Sequence, residues 1–248
     1  VVVSPPFIPR LNITADYYDI TVNNAIATVA AQATLDQCFL SLDAANPFCS
    51  RISRFPNGDI QTIQTTLMNV ASRQVRGVDV QVDYGIPLGD SFSIGGEPAR
   101  IDLRFAGNRQ FKDSTVPLPG SAAIECSGRF GPGCTGVGSW VSLGFKAQLS
   151  ATYSSGPLSC TARGRYLAPI TVRDGQTAYR DRFPAESYLD LTARVKIGEG
   201  VSLYGGVNNV FDNQPPLLGS RMGGPVNTAE ATYDVLGRRY FAGVNAKF

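Results

Sequence analysis

Apolar and polar residues alternate along eight stretches of this chain. In the clearest stretch, at 140–154, an apolar series from Val141 to Tyr153 is interleaved with a polar series from Ser142 to Thr152. A period of two puts successive side chains on opposite faces of a β-strand, so each face meets a different environment. The pattern predicts eight strands, at about 10–22, 67–87, 91–109, 140–154, 157–168, 186–197, 201–211 and 235–248.

The segments between the predicted strands alternate in length. Short turns follow the second, fourth and sixth strands, at 88–90, 155–157 and 198–200. Long loops follow the other strands, at 23–66, 110–139, 169–185 and 212–234. Because outer-membrane β-barrels combine short periplasmic turns with longer external loops, this alternation favours such a barrel. Within the third predicted strand, Gly95 and Gly96 are expected to form a bulge.

The last predicted strand alternates up to its terminal aromatic residue. Tyr240, Ala242, Val244, Ala246 and Phe248 share one face of this strand. Chain ends usually fray in water, whereas in lipid every backbone group must be paired. The ending therefore suggests a barrel strand that runs inward and finishes at the periplasmic side.

Charged and aromatic residues are distributed as a membrane wall requires. A water-filled lumen tolerates charges on the polar face, and interfacial girdles collect aromatic residues near strand ends. The charges are Asp79, Asp83, Lys146, Arg163, Arg165, Asp190, Arg194 and Lys196. The aromatic residues are Tyr17, Tyr18, Trp140, Tyr153, Tyr166, Tyr188, Phe211 and Phe248. Cross-strand pairing of opposite charges is the simpler explanation for the arginines, and guidance of an anionic substrate is the alternative.

Composition excludes several classes of function. The 248 residues are 43% apolar and 17% charged, without a run of about 20 apolar residues that would form a transmembrane helix. The net charge of +2 and the lack of a basic stripe predict no nucleic-acid partner. The sequence has no histidine and no common hydrolase, Walker or zinc-protease motif. We therefore expect no enzyme activity, no catalytic or metal-binding residue and no cofactor.

Four of the five cysteines form two close pairs in polar segments. Cys38 with Cys49, and Cys126 with Cys134, are expected to form disulfides in an oxidising compartment. Zinc binding is the weaker alternative, because neither pair has the spacing of a metal knuckle. Cys160 belongs to a strand pattern and is expected to be a small apolar wall residue.

Several motifs together resemble the C-terminal barrel portion of TonB-dependent outer-membrane receptors, which import siderophores, cobalamin, sugars and related nutrients. The most specific are the block at 203–212 (Leu-Tyr-Gly-Gly-Val-Asn-Asn-Val-Phe-Asp) and the last strand, with Gly-Arg-Arg-Tyr at 237–240 and the final Phe248. Weaker matches are Leu-Asn-Ile-Thr-Ala-Asp-Tyr-Tyr-Asp-Ile at 11–20, Asn-Pro-Phe-Cys at 46–49, Asn-Val-Ala-Ser at 69–72, Gly-Val-Asp at 77–79, Pro215-Pro216 and Tyr233-Asp234.

The resemblance implies a fold, a location and a set of partners. Residues 1–248 are expected to be the C-terminal part of a 22-stranded antiparallel transmembrane β-barrel, contributing about eight strands, with the plug domain and TonB box absent from this chain. The expected location is the cell outer membrane of a Gram-negative bacterium. The expected partners are outer-membrane lipid, a small-molecule nutrient, the barrel-assembly machinery, and the TonB complex through the missing N-terminal region. Tyr240 and Phe248 are the implied assembly signal.

Two other interpretations remain open at the level of sequence. Eight strands also suffice for a complete small outer-membrane barrel. A secreted soluble β-sandwich with an enzymatic or binding function alternates in the same way. A carboxylate pair is not expected to work in such an enzyme, because Asp16 and Asp19 lie on opposite faces of a strand. If the chain binds a ligand, the polar loops at 23–66 and 110–139 are the best places for contacts.

Overall fold

The computed structural model describes residues 1–248 except 42, 44, 45, 66, 132, 135–140, 179, 218–226 and 248, and at 27, 41 and 70 it describes the backbone alone. The described residues contain helix α1 (Ala31–Ser41), 3-10 helices at Cys49–Arg51 and Asp90–Phe92, and strands β1 (Val2–Val3), β2 (Leu11–Thr28), β3 (Ile52–Arg54), β4 (Ile60–Ile63), β5 (Leu67–Pro87), β6 (Ala99–Val116), β7 (Ile124–Glu125), β8 (Arg129–Phe130), β9 (Val141–Ser142), β10 (Phe145–Ser155), β11 (Leu158–Leu167), β12 (Ile170–Val172), β13 (Arg182–Phe183), β14 (Glu186–Gly198), β15 (Val201–Asn208) and β16 (Arg239–Ala246).

One large sheet contains a strand at each of the eight predicted positions, in chain order. Its strand order is β1-β2-β5-β6-β10-β11-β14-β15-β16, and β7 pairs with β6. From β6 to β16 each strand is antiparallel to the next along this path. The chain is therefore an all-β antiparallel meander, as the alternating pattern predicts.

The prediction for the third strand is wrong at its beginning. The strand starts at Ala99 and continues to Val116, and Gly95 and Gly96 lie in the connection before it. Both glycines have positive φ angles, 66° and 76°, which form a tight turn rather than a bulge. The connection after β5 therefore occupies 88–98 instead of 88–90.

The long loops have structure of their own. In the first loop, helix α1 is followed by the β3–β4 hairpin, and the Cys38–Cys49 disulfide joins the helix to the 3-10 turn. Segments of two other connections, between β6 and β10 and between β11 and β14, form a four-stranded sheet in the order β13-β12-β8-β9. The prediction that the fourth strand begins at 140 is therefore wrong, because Val141 and Ser142 belong to this small sheet and β10 begins at Phe145. Alternating periodicity does not reveal such short strands, because two or three residues are too few to establish a repeating pattern.

The chain divides into two compact units. The first comprises 1–19, 75–113 and 125–248, and the second comprises 20–74 and 114–124. The main hydrophobic cluster belongs to the first unit and consists of Phe130, Val141, Ile170, Phe183, Ala229 and Tyr233. All of these residues come from the loops and the short strands, and Phe130 packs edge-on against Phe183 at 5.0 Å between ring centroids.

The apolar face of the large sheet is not covered by this cluster. The pairing register places Leu149, Leu191 and Val244 on that face, and their side chains are 54%, 41% and 63% exposed. A soluble β-sandwich buries such a face against a second sheet. Separately, none of the helices among the described residues has both the length and the apolar character needed to cross a bilayer.

Candidate functional site

Polar side chains line a groove on the opposite face of the sheet. The groove has a volume of about 480 Å³. Strands β2, β5, β6, β10 and β11 contribute to it because residues directly opposite in register share a face, as Ala106, Gln148 and Arg165 do. Its polar lining includes Asp16, Asp79, Asn108, Lys146, Gln148 and Arg165.

Hydrogen bonds connect three strands across this face. The Asn108 amide donates to the Tyr18 hydroxyl at 3.0 Å and to the Asp79 carboxylate at 2.7 Å. Gly77 leaves the space that the Tyr18 ring occupies, since a Cβ at position 77 would overlap its hydroxyl. The Gly-Val-Asp motif at 77–79 therefore supplies both a gap for the ring and a hydrogen-bond acceptor.

Arg165 joins the wall to the last long loop. Its guanidinium contacts Asp190 at 2.9 Å and Asp234 at 2.5 Å, and it lies 4.7 Å from the ring centroid of Tyr188. The residue directly opposite Asp190 in register is Arg163, but the ion pair is made by the diagonal neighbour Arg165. Arg165 is thus held by two carboxylates and an aromatic face.

The Asn-Asn-Val-Phe-Asp segment at 208–212 ends strand β15 and organises the loop. Asn209 has φ 53° and is fully buried, and its backbone N–H donates to the Asp190 carboxylate at 2.9 Å. Its side chain exchanges two hydrogen bonds with the backbone of Asn213. Asp212 accepts a hydrogen bond from the Arg238 backbone N–H at 2.8 Å. The motif therefore has an architectural role.

Glycines and aromatic rings are paired across the last two strands. Gly206 lies opposite Phe241, and Gly243 lies opposite Tyr204. A Cβ at Gly206 would lie 2.7 Å from the Phe241 ring, so only glycine leaves room for that ring. The Tyr204 and Phe241 rings in turn contact each other with centroids 6.5 Å apart.

The charges on this face favour pairing over a free cationic cluster. Arg104 contacts Asp83 at 2.5 Å and Arg100 contacts Asp102 at 2.9 Å, in addition to the Arg165 pairs. Mixed charges of this kind steer an anion only weakly. In the part of the chain that the structure describes, no group of three or more His, Cys, Asp or Glu residues could hold a metal ion.

Tyr233 lies in the hydrophobic cluster beside this network. Its ring is buried, and its hydroxyl has no hydrogen-bond partner among the described residues. Burial, followed by the charge of the nearby Glu186, raises the pKa of Tyr233 above its usual range. The sequence marks Tyr233 only as part of a family motif and gives no signal of this environment.

The structure accounts for the other predicted residues as follows. Both expected disulfides are present, Cys38–Cys49 and Cys126–Cys134. Cys160 is a half-buried free thiol that lies opposite Tyr153 and Ala193. Tyr240 is exposed in β16, opposite Val207. Phe248 and Trp140 lie outside the described residues.

Comparisons with known proteins point to one family. The family model described as "TonB dependent receptor-like, beta-barrel" matches residues 6–210. Comparison with curated protein sequences finds no match. Among solved structures, a mutant of the ferric enterobactin receptor PfeA from Pseudomonas aeruginosa superposes with a TM-score of 0.62 and is 14% identical, over 100% of this chain and 30% of its own.

Two further solved structures share the fold. The siderophore receptor PirA from Acinetobacter baumannii has a TM-score of 0.57 at 12% identity, and the copper transporter OprC has a TM-score of 0.51 at 14% identity. Each match covers 100% of this chain and 30% of the other protein. The chain therefore spans about 30% of the length of the proteins that it resembles, and at these identities the likeness shows the fold alone.

Proposed function

This chain belongs to the TonB-dependent receptor-like β-barrel family, and we propose that residues 1–248 form a wall segment in the C-terminal part of an outer-membrane receptor barrel. The receptor resides in the outer membrane of a Gram-negative bacterium and is a transporter rather than an enzyme. Its plug domain and TonB-contacting region belong to a part of the receptor outside these residues. Its cargo is a small nutrient of the siderophore, cobalamin or carbohydrate type.

The exposed apolar face of the sheet is the observation that supports this proposal most strongly. Leu149, Leu191, Leu203 and Val244 point away from the charged face and remain exposed, although the chain has a separate, well-buried cluster in its loops. At about 25 cal/mol per Å² of apolar surface, leaving such a face in water is costly, and lipid removes that cost. An outward apolar band opposite a polar interior is the pattern of an outer-membrane barrel.

Fluorescence quenching at matched positions tests the assignment of the two faces. In a Cys160→Ala parent of the full-length protein, single cysteines replace Leu149 or Leu191 on the apolar face, and Gln148 or Thr192 on the polar face. Each cysteine carries a small fluorescent label, and the protein is reconstituted in phosphatidylcholine vesicles. We expect brominated acyl chains to quench the labels at 149 and 191, and aqueous iodide to quench those at 148 and 192.

Equal quenching by iodide at all four positions would contradict the membrane wall. Each pair of positions is adjacent in sequence, so the two members differ only in the face that they occupy. Heat-dependent migration on a denaturing gel, measured for each variant, shows that the labelled protein is folded.

Tyr240 and Phe248 are proposed as the aromatic members of the signal that the barrel-assembly machinery recognises. Tyr240 is exposed on the apolar face, where it is accessible to a partner or to lipid. We expect Tyr240→Ala and Phe248→Ala to lower the amount of folded receptor in isolated outer membranes. Asn245→Ala, on the other face of the same strand, is the control, and an equal loss in the control would argue against a specific signal.

A further inference from the structure

The connection between β5 and β6 folds back onto the sheet instead of turning directly. We call residues 88–98 the rim connector. It contains the 3-10 turn Asp90–Phe92 and a small bridge between Ile94 and Glu97, which Gly95 and Gly96 close with positive φ angles. The turns between β10 and β11, and between β14 and β15, contain no comparable structure among their described residues.

Three hydrogen bonds hold the rim connector against the end of β10. The Ser155 hydroxyl accepts from the Ile94 backbone N–H at 2.8 Å and donates to the Glu97 carbonyl at 2.9 Å. The Tyr153 hydroxyl donates to the Phe92 carbonyl at 2.5 Å. Ser155 is 2% exposed as a result. The rim connector is therefore a fixed part of the wall.

The position of these bonds shows which face the rim connector covers. Residues 153 and 155 are two apart on β10, so their side chains point to the same face. That face is the one that carries Leu149, the exposed apolar face. The rim connector consequently extends the apolar face at the short-turn end of the wall.

Two large apolar side chains remain exposed on the fixed rim connector. Phe92 is 59% exposed and Ile94 is 38% exposed, while Asp90 and Glu97 supply polar groups beside them. The hydrogen bonds with Ser155 and Tyr153 hold the backbone that carries these two side chains in place. In outer-membrane barrels, aromatic residues collect at both membrane interfaces beside the outward apolar band.

We propose that the rim connector is a membrane-interface anchor, in which Phe92 and Ile94 insert at the headgroup boundary of the phospholipid leaflet on the short-turn side. This inference rests on the proposed membrane wall, because the anchor continues the lipid-facing surface. The anchor fixes the depth of the wall at β5, β6 and β10, and Ser155 positions it from within the sheet.

Depth-dependent quenching tests the anchor. In the Cys160→Ala parent, a labelled cysteine replaces Phe92, and the signal of the unsubstituted parent is subtracted. The vesicles contain phosphatidylcholine brominated either near the glycerol end or near the methyl end of its acyl chains. We expect bromines near the glycerol end to quench the label at least about twice as strongly as bromines near the methyl end, because interfacial groups lie at the headgroup level. Glu199→Cys, in the turn between β14 and β15, is the control and is expected to be quenched by aqueous iodide alone.

A second variant tests whether the hydrogen bonds from β10 keep the rim connector in place. Ser155→Ala removes both hydroxyl hydrogen bonds, so quenching of the label at 92 by shallow bromines should fall toward that of the control at 199. If the labels at 149 and 191 are quenched by lipid but the label at 92 is not, the anchor is wrong and the membrane wall stands. If none of these positions is quenched by lipid, the membrane wall itself is wrong. A label at 92 protected from both lipid and iodide would indicate a protein partner and would overturn the lipid anchor.

Discussion

Arg165 shows how one side chain ties together segments that are distant in sequence. It is bound by Asp190, 25 residues away, and by Asp234, 69 residues away. Both carboxylates are mostly buried, with 11% and 19% of their side chains exposed. Removing the guanidinium would leave two poorly solvated negative charges side by side. The free-energy cost of these unpaired charges exceeds the net stabilisation that the ion pairs provide.

We expect Arg165→Gln to release the loop that contains Asp234. Local opening of residues 227–238 should become easier by about 3 kcal/mol, which corresponds to about 100-fold faster amide exchange in that loop. Hydrogen–deuterium exchange with mass spectrometry measures this change. Arg163→Gln, two residues earlier on the same face and exposed, should change exchange little. Unchanged loop exchange in Arg165→Gln would show that the ion pairs do not hold the loop.

Tyr233 gives a prediction that depends on pH. Burial raises the pKa of Tyr233, so the folded protein keeps this proton to a higher pH than the unfolded chain does. In the unfolded chain the pKa of a tyrosine is near 10, and below that pH the contribution of Tyr233 to the free energy of unfolding is complete. As the pH rises above this value, the free energy of unfolding falls by up to about 1.4 kcal/mol per pH unit. Tyr233→Phe removes this loss.

The comparison is made by denaturant unfolding of parent and variant at about pH 8 and about pH 11, on either side of the tyrosine range. At the lower pH the variant should be as stable as the parent or up to about 1 kcal/mol more stable, because the buried hydroxyl lacks a partner among the described residues. Tyr240→Phe, at an exposed tyrosine, controls for loss of a hydroxyl. A parent and variant that lose stability equally at high pH would contradict the prediction.

At the scale of elements, the loops differ in how they shield their disulfides. Cys126 and Cys134 are buried, while Cys38 in α1 and Cys49 in the following 3-10 turn are partly accessible. Thiol–disulfide exchange requires access to a sulfur atom. The two disulfides should therefore respond differently to a reductant although both close short loops.

We expect Cys38 and Cys49 to be reduced and alkylated about tenfold or more faster than Cys126 and Cys134 in the folded protein, because exchange depends on access. Timed alkylation followed by peptide mass spectrometry distinguishes the pairs. In denaturant the difference should disappear, which provides the control. Faster reaction at Cys126 would show that the loop that contains Cys126 and Cys134 opens readily.

At the scale of the whole molecule, the two faces of the sheet should tolerate charge differently. Leu191 and Thr192 are adjacent on β14 and point to opposite faces. Lysine on a lipid-facing position near the middle of the membrane costs about 2–4 kcal/mol, whereas a lumen position tolerates it. We expect Leu191→Lys to destabilise the folded protein in vesicles by that amount.

Thr192→Lys is the matched substitution and should cost less than about 1 kcal/mol, since it faces the polar side. Urea titration of the folded fraction in phospholipid vesicles measures both variants. A greater loss for Thr192→Lys than for Leu191→Lys would reverse the assignment of the two faces.

The sequence determined the order of the eight strands and the polarity of their faces, because a period of two is local and survives in every strand. It also indicated the two cysteine pairs, since each pair is close in sequence. It did not place strand starts beside glycines, as the error at Gly95 and Gly96 shows.

The tertiary structure decided which charges meet, because the diagonal contact of Arg165 with Asp190 and the distant contact with Asp234 depend on register and loop closure. It also decided that the loops hold a buried cluster while the apolar sheet face stays exposed, and that residues 88–98 fold onto that face. Burial and long-range pairing are properties of the packed chain, so no local pattern could specify them.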